Sequence, residues 1–155
     1  MKAIDQWFAE YGESHQHPTN KRIHWVCVPL ITFSLLAMLW AIPVPAAMAE
    51  VSPLLNWAVL FALVAGLFYL RLSLPMFVGM GVVVVLMLAV CYFLERAGVT
   101  LWPLALAIFV GAWIGQFIGH KIEGKKPSFF KDLLFLLVGP AWLLGFIYRR
   151  LGWRY

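Results

Sequence analysis

Apolar residues fall in five long blocks along this chain, at 24–42, 54–72, 75–94, 101–119 and 129–148, separated by short polar or proline-bearing breaks. The first four each come close to the ~20 residues that carry a helix across ~30 Å of hydrocarbon. None shows the alternation of a barrel strand, so in lipid the backbone has to satisfy itself as helix. The valine run at 82–85 lies inside one of these blocks and argues for no strand. Pro43 and Pro45 end the first block. Gly139 and Pro140 interrupt the fifth, which reads either as a kinked span or as two short helices that enter and return, with a re-entrant or strongly kinked segment preferred. Ahead of the blocks, Ile4, Trp7, Phe8 and Tyr11 recur at i, i+3, i+4 and i+7. That spacing predicts an amphipathic helix over 3–15, and its aromatic stripe predicts that the helix lies in the membrane interface. His15 extends the stripe by a turn. Pro18 then breaks the helix, and Asn20 is the expected cap of the next.

Composition makes the membrane reading hard to avoid. Hydrophobic residues make up 63% of the 155 and charged residues 12%, and the mean hydropathy is +0.86. A soluble domain has about 45–50% apolar and about 25% charged residues, so lipid must cover the excess. The predicted fold is all-α, a polytopic membrane helix bundle. It has four clear transmembrane helices and a fifth kinked or re-entrant segment, preceded by the N-terminal interfacial helix. One domain spans 1–155, with the interfacial helix and histidine segment at 1–20 and the bundle at 24–148. Residues 1–13 carry no apolar core or small-residue cleavage site of a signal peptide. The net charge of +5 sits beside the apolar blocks, which points to topology and anionic headgroups and away from nucleic acid. Cys27 and Cys91 fall near opposite faces, too far apart for a disulfide.

Short connections make neighbouring helices antiparallel. Four crossings then return the chain at residue 120 to the side it left, so His15, His17, His24 and His120 all lie on one face. Lys2, Lys21, Arg22, Arg71, Lys121, Lys125, Lys126 and Lys131 share that face, whereas Arg96 is the one basic residue in the two far interhelical loops. The positive-inside bias makes the histidine face cytoplasmic.

Tyr11, Asn20, Gln116, Glu123 and Asp132 join the histidines there. Gln116 and His120 are i, i+4 on one helix face, and Glu123 follows at i+3. Imidazole is the commonest metal ligand, and several histidines near a carboxylate suit non-haem Fe(II) and oxygen chemistry. Taken singly, each histidine reads as an interfacial residue and Glu123 as a partner of Lys125 or Lys126. Gln116 at that depth needs a partner or a cavity. The ridge of Gly111, Gly115 and Gly119 reads as helix packing, and Trp40, Trp57, Trp113 and Trp142 as packing or belt residues.

These residues compose a recognisable pattern. Tyr11, His15, Pro18, Asn20, His24 and Pro29, followed by Trp113, Gln116, Phe117, Gly119, His120, Glu123 and Pro127, resemble a family of small polytopic membrane proteins. Its best-known member is the yeast endoplasmic-reticulum Fe(II)-dependent 2-hydroxy-fatty-acid dioxygenase of phytosphingosine breakdown. The resemblance runs from about residue 5 to 148. It implies α-oxidation, in which Fe(II) and O₂ convert a 2-hydroxy fatty acid to an acid one carbon shorter. It also implies His15, His24 and His120 as iron ligands. His17 stands where the family pattern suggests a small polar residue, and Glu123 comes three residues after His120 where the yeast relative places it four on. Both are carried as further candidate ligands. Gln116, Tyr11 and Asn20 are the candidate catalytic residues. The compact length is like that of bacterial relatives, which implies an inner-membrane location. The expected partners are the 2-hydroxy acid, O₂ and membrane lipid, with a homo-oligomer left open. Two other readings compete: a metal- or lipid-binding protein or small transporter without catalysis, and a di-iron hydroxylase, which would need about twice as many histidines.

Overall fold

The computed structural model describes residues 3–130 and 132–155. Lys2 and Lys131, two of the charges assigned to the histidine face, lie outside them. The described residues form seven α-helices and one 3-10 turn, with no strand among them. The helices are α1 (Ile4–Gly12), α2 (Pro18–Trp40), α3 (Ala46–Val51), α4 (Trp57–Leu72), α5 (Leu74–Arg96), α6 (Leu101–Glu123) and α7 (Phe135–Arg150), with the 3-10 turn at Ser128–Phe130. Three of them, α2, α5 and α6, are each 23 residues long and apolar enough to cross a membrane, while α4 is a shorter apolar helix of 16 residues.

Local chemistry moves several boundaries. Helix α2 starts at Pro18, six residues before the apolar block, because proline at the first helical position loses no intrahelical bond. Its cap is therefore His17, whose Nδ1 accepts from the Thr19 amide at 3.2 Å. Asn20, the expected cap, is instead a buried residue of the first turn. Helix α6 likewise runs four residues past its apolar block, to Glu123. Gly124 ends it at φ 72, a left-handed conformation in which a side chain is strained. Asn20 and His24 thus share one helix, and Gln116, His120 and Glu123 share another.

The ends of the helices are paired. Trp40 Nε1 at the end of α2 donates to Glu95 Oε2 at the end of α5 (3.0 Å). Ala37, Cys91, Leu101 and Ala105 cluster at that same end. The starts of α2 and α5 and the end of α6 consequently lie at the opposite end. Cys27 and Cys91 are free thiols.

The segment after α6 turns back along that helix, and α7 ends beside the start of α5. Phe129 packs edge-on against Trp113 at 4.8 Å, ten residues and so about 15 Å along α6 from Glu123. At the other end of the segment, Tyr148 Oη donates to the Pro75 carbonyl at the start of α5 (2.8 Å). Inside it, α7 is one helix running through Pro140, not two short ones. Tyr69 Oη donates to the Leu137 carbonyl and ties its first turn to α4 (2.8 Å).

The stripe of α1 is covered by protein rather than by the membrane interface. Ile4, Trp7, Phe8 and Tyr11 are all buried, with Trp7 edge-on to Phe135 at 5.2 Å and Tyr11 edge-on to Trp142 at 5.3 Å. A 3.6-residue period shows that a face is apolar, and it is silent on what covers that face.

Candidate metal centre

Helices α2 and α6 form the most extensive interface between two elements of the fold. Glycines let them approach. A Cβ on Gly119 would lie against Asn20 Oδ1 and one on Gly115 would lie 2.7 Å from Cys27 Sγ, while Gly111 faces open space. This contact brings His24 of α2 beside His120 of α6. The turn after α1 delivers His15 to the same point.

The three imidazoles each offer a ligand nitrogen within 4.8 Å of the others, and all three are buried. His15 and His24 meet through their Nε2 atoms at 2.8 Å. Their outer nitrogens decide what that contact means. His15 Nδ1 faces the Tyr11 carbonyl, and His24 Nδ1 faces the Asn20 carbonyl at 2.9 Å. A carbonyl only accepts, so each Nδ1 carries the proton and each Nε2 presents a lone pair. Two lone pairs aimed at one another repel unless a cation lies between them. Imidazole nitrogens bound at ~2.1 Å to one ion, at a right angle, stand about 3 Å apart, close to the spacing seen. His120 Nδ1 is buried and has no hydrogen-bond partner among the described residues. The donor set therefore fits a metal ion.

Burial also keeps His15 neutral. His15 is pushed down to about 4 chiefly by loss of solvent, against the opposing pull of the Tyr11 carbonyl. The Tyr11 ring stacks on it at 4.1 Å, and burial pushes the Tyr11 phenol up, so it stays protonated. In front of the imidazoles is a cavity of about 50 Å³ lined by Tyr11, His15, His24, Gln116, His120 and Ser128 among others. At ~10–15 Å³ per water it has room for a few small molecules.

A model of the Mpo1-like family, described as 2-hydroxy-palmitic acid dioxygenase Mpo1-like, matches residues 1–151. The chain belongs to this family. The 2-hydroxy-palmitic acid dioxygenase MPO1 of Saccharomyces cerevisiae is 31% identical over 137 residues, covering 88% of this chain and 74% of the yeast protein. No solved structure matches the chain.

In this Mpo1-like chain the remaining sequence-predicted residues surround the triad. Glu123 stands outside the group of three. Its carboxylate accepts from the Gln16 amide at 2.9 Å, the His17 amide at 2.7 Å and Asn20 Nδ2 at 3.2 Å. His17 is exposed and occupied as the cap of α2. Asn20 Nδ2 also donates to the Ser14 carbonyl at 3.1 Å, so Glu123 and Asn20 together tie the 14–17 turn to the two long helices. Gln116 is buried in the cavity wall. Sequence reasoning missed two serines and the place of Trp113 in the cavity wall. Ser14 and Ser128 share a 2.6 Å hydrogen bond beside His15, and no spacing links residues so far apart. Trp113, read as a packing residue, lines the cavity. Its place seven residues before His120 on α6 was the available signal.

Proposed function

We propose that this chain is an Fe(II)-dependent dioxygenase that converts 2-hydroxy fatty acids to fatty acids one carbon shorter, at the cytoplasmic face of a membrane. The observation that carries the reading is the buried triad His15, His24 and His120, with two Nε2 lone pairs converging at 2.8 Å. Membership in a family described as dioxygenases supports it.

His15, His24 and His120 would hold the ion, which would supply O₂ activation and a Lewis-acid seat for the substrate head. The protein does the rest. The Tyr11 and Asn20 carbonyls lock the two imidazoles in one tautomer and orientation, the support that ligand histidines need. Glu123 and His17 act at one remove, one clamping the 14–17 turn and the other capping α2. Gln116 can donate to a carboxylate or hydroxyl oxygen in the cavity, and the Tyr11 phenol remains a proton donor. Lys21, Arg22, Lys125 and Lys126 form a basic rim that attracts the carboxylate. The chemistry balances without a further reductant. The hydroxyl-bearing carbon becomes a carboxyl, the old carboxyl carbon leaves as CO₂, and one O₂ takes up the four electrons released.

The test combines metal analysis of the purified protein with oxygen uptake on 2-hydroxypalmitate. Wild type is expected to hold about one iron and consume oxygen, and His24→Ala and His120→Ala to lose both properties. Oxygen uptake undiminished in both variants would refute the assignment. Bound metal with no turnover of any 2-hydroxy acid would favour a non-catalytic metal-binding protein.

A further inference from the structure

Behind the histidine cavity lies a second, larger one of about 350 Å³. It is enclosed by α2, α4, α5, α6 and the first turns of α7. Leu36, Phe61, Ala62, Met80, Val84 and Leu137 make much of its wall. The two cavities share Ile31, Thr32, Trp113, Leu136 and Pro140, so one wall separates them. The two hydroxyls on the chamber's lining are already used. Thr32 Oγ1 donates to the Val28 carbonyl (3.0 Å) and Tyr69 Oη to the Leu137 carbonyl. One side-chain donor on the lining is unspent. Trp113 Nε1 is buried and has no hydrogen-bond partner among the described residues. A buried N–H without an acceptor costs about 1–3 kcal/mol, and here it sits on one of the five residues common to both cavities. Trp113 shares its helix face with Gln116 and His120, at i+3 and i+7.

We propose that the chamber takes the acyl chain of the 2-hydroxy acid, and that the Trp113 indole N–H donates to an oxygen of its head where the two cavities join. The inference rests on the function proposed above and deepens it. It makes Trp113 a substrate-binding residue and makes the α4–α5 wall the determinant of chain length. A polar head beside the imidazoles and a long apolar tail behind Trp113 match the two cavities in chemistry and in order. The ring of Trp113 is held by Phe109, Phe117 and Phe129 at 4.8 to 6.0 Å, so the N–H is presented by a fixed group.

The test uses the full chain in nanodiscs under anaerobic conditions. Equilibrium binding of labelled 2-hydroxypalmitate, 2-hydroxyoctanoate and plain palmitate is measured, with oxygen uptake followed separately in air. Trp113→Phe keeps the ring and removes the donor. It should weaken 2-hydroxypalmitate binding about ten- to hundredfold with iron content unchanged. Ala62→Phe and Val84→Phe fill the chamber from two different helices, α4 and α5, so one of them misfolding leaves the other. Each should reverse the preference from 2-hydroxypalmitate to 2-hydroxyoctanoate. An unchanged chain-length ratio in a folded chamber variant overturns the inference, and is also the outcome if a bilayer lipid tail fills the space. So does wild type that binds none of the three acids. Palmitate binding lost on filling the chamber, in a wild type that turns over no 2-hydroxy acid, upholds the chamber and overturns the function.

Discussion

A methyl group on Gly119 should push α2 away from α6 at the level of the histidines. A Cβ there would meet Asn20 Oδ1 far inside van der Waals contact, with Asn20 Cγ at 3.3 Å and Ile23 Cδ1 at 3.5 Å. Asn20 cannot swing aside cheaply, because its amide nitrogen is held by the Ser14 carbonyl and by Glu123. The strain must be met by moving helix against helix by about 1 Å, and overpacking of this kind costs about 1–3 kcal/mol. Alanine offsets about 0.5–1 kcal/mol of that, because glycine is the poorer helix former. The expected net loss is about 1–2 kcal/mol. Gly111 supplies the control on the same helix. Its added Cβ meets nothing within 4 Å, so Gly111→Ala should be neutral or slightly stabilising. Gly115→Ala should fall between, because the atom it meets, Cys27 Sγ at 2.7 Å, ends a short but rotatable side chain. The site reads the displacement more sharply than stability does. Metal–ligand distances tolerate about 0.2 Å, so Gly119→Ala should lose metal affinity by at least the 10–100-fold typical of damage to supporting contacts. Thermal unfolding in detergent and iron titration across the three variants would show the gradient. Equal behaviour of Gly119→Ala and Gly111→Ala in both assays would refute the view that close approach of α2 and α6 builds the site.

Glu123→Gln should keep most of the iron affinity, because an amide oxygen still accepts from one backbone N–H. Glu123→Ala frees the 14–17 turn and should cost about 1–3 kcal/mol and tenfold or more in affinity. Complete loss of iron in Glu123→Gln would make the carboxylate a direct ligand instead. The His15 contribution to metal-free stability has a definite sign. Its folded value of about 4 lies below the ordinary 6.5, so the folded state binds fewer protons. That stability is complete above pH 6.5 and is lost as pH falls through about 4. Melting temperatures of metal-free protein across this window should fall more steeply in wild type than in His15→Gln, and parallel curves would contradict the burial argument.

What the chain determined by itself was the class of structure and the gathering of three of its histidines at one end of the helices. Apolar blocks of spanning length force helices in lipid, and an even number of long antiparallel helices brings His120 back to the end of the bundle that holds His15 and His24. The glycine ridge announced a close contact without naming the partner. The tertiary structure decided how the residues at that end divide their work. Which nitrogen carries the proton depends on the carbonyls that face His15 and His24, and only folding places them. Glu123 has the spacing of a ligand from His120, and only folding shows that its oxygens accept from the two backbone amides delivered by the turn after α1. His17, which made the opening segment look richest in ligands, became a cap because Pro18 starts the next helix. The stripe of α1, which suits an interface equally well, met α7. Period and spacing record which groups share a face of one element. What that face meets is set by contacts between residues a hundred positions apart, which no local pattern encodes.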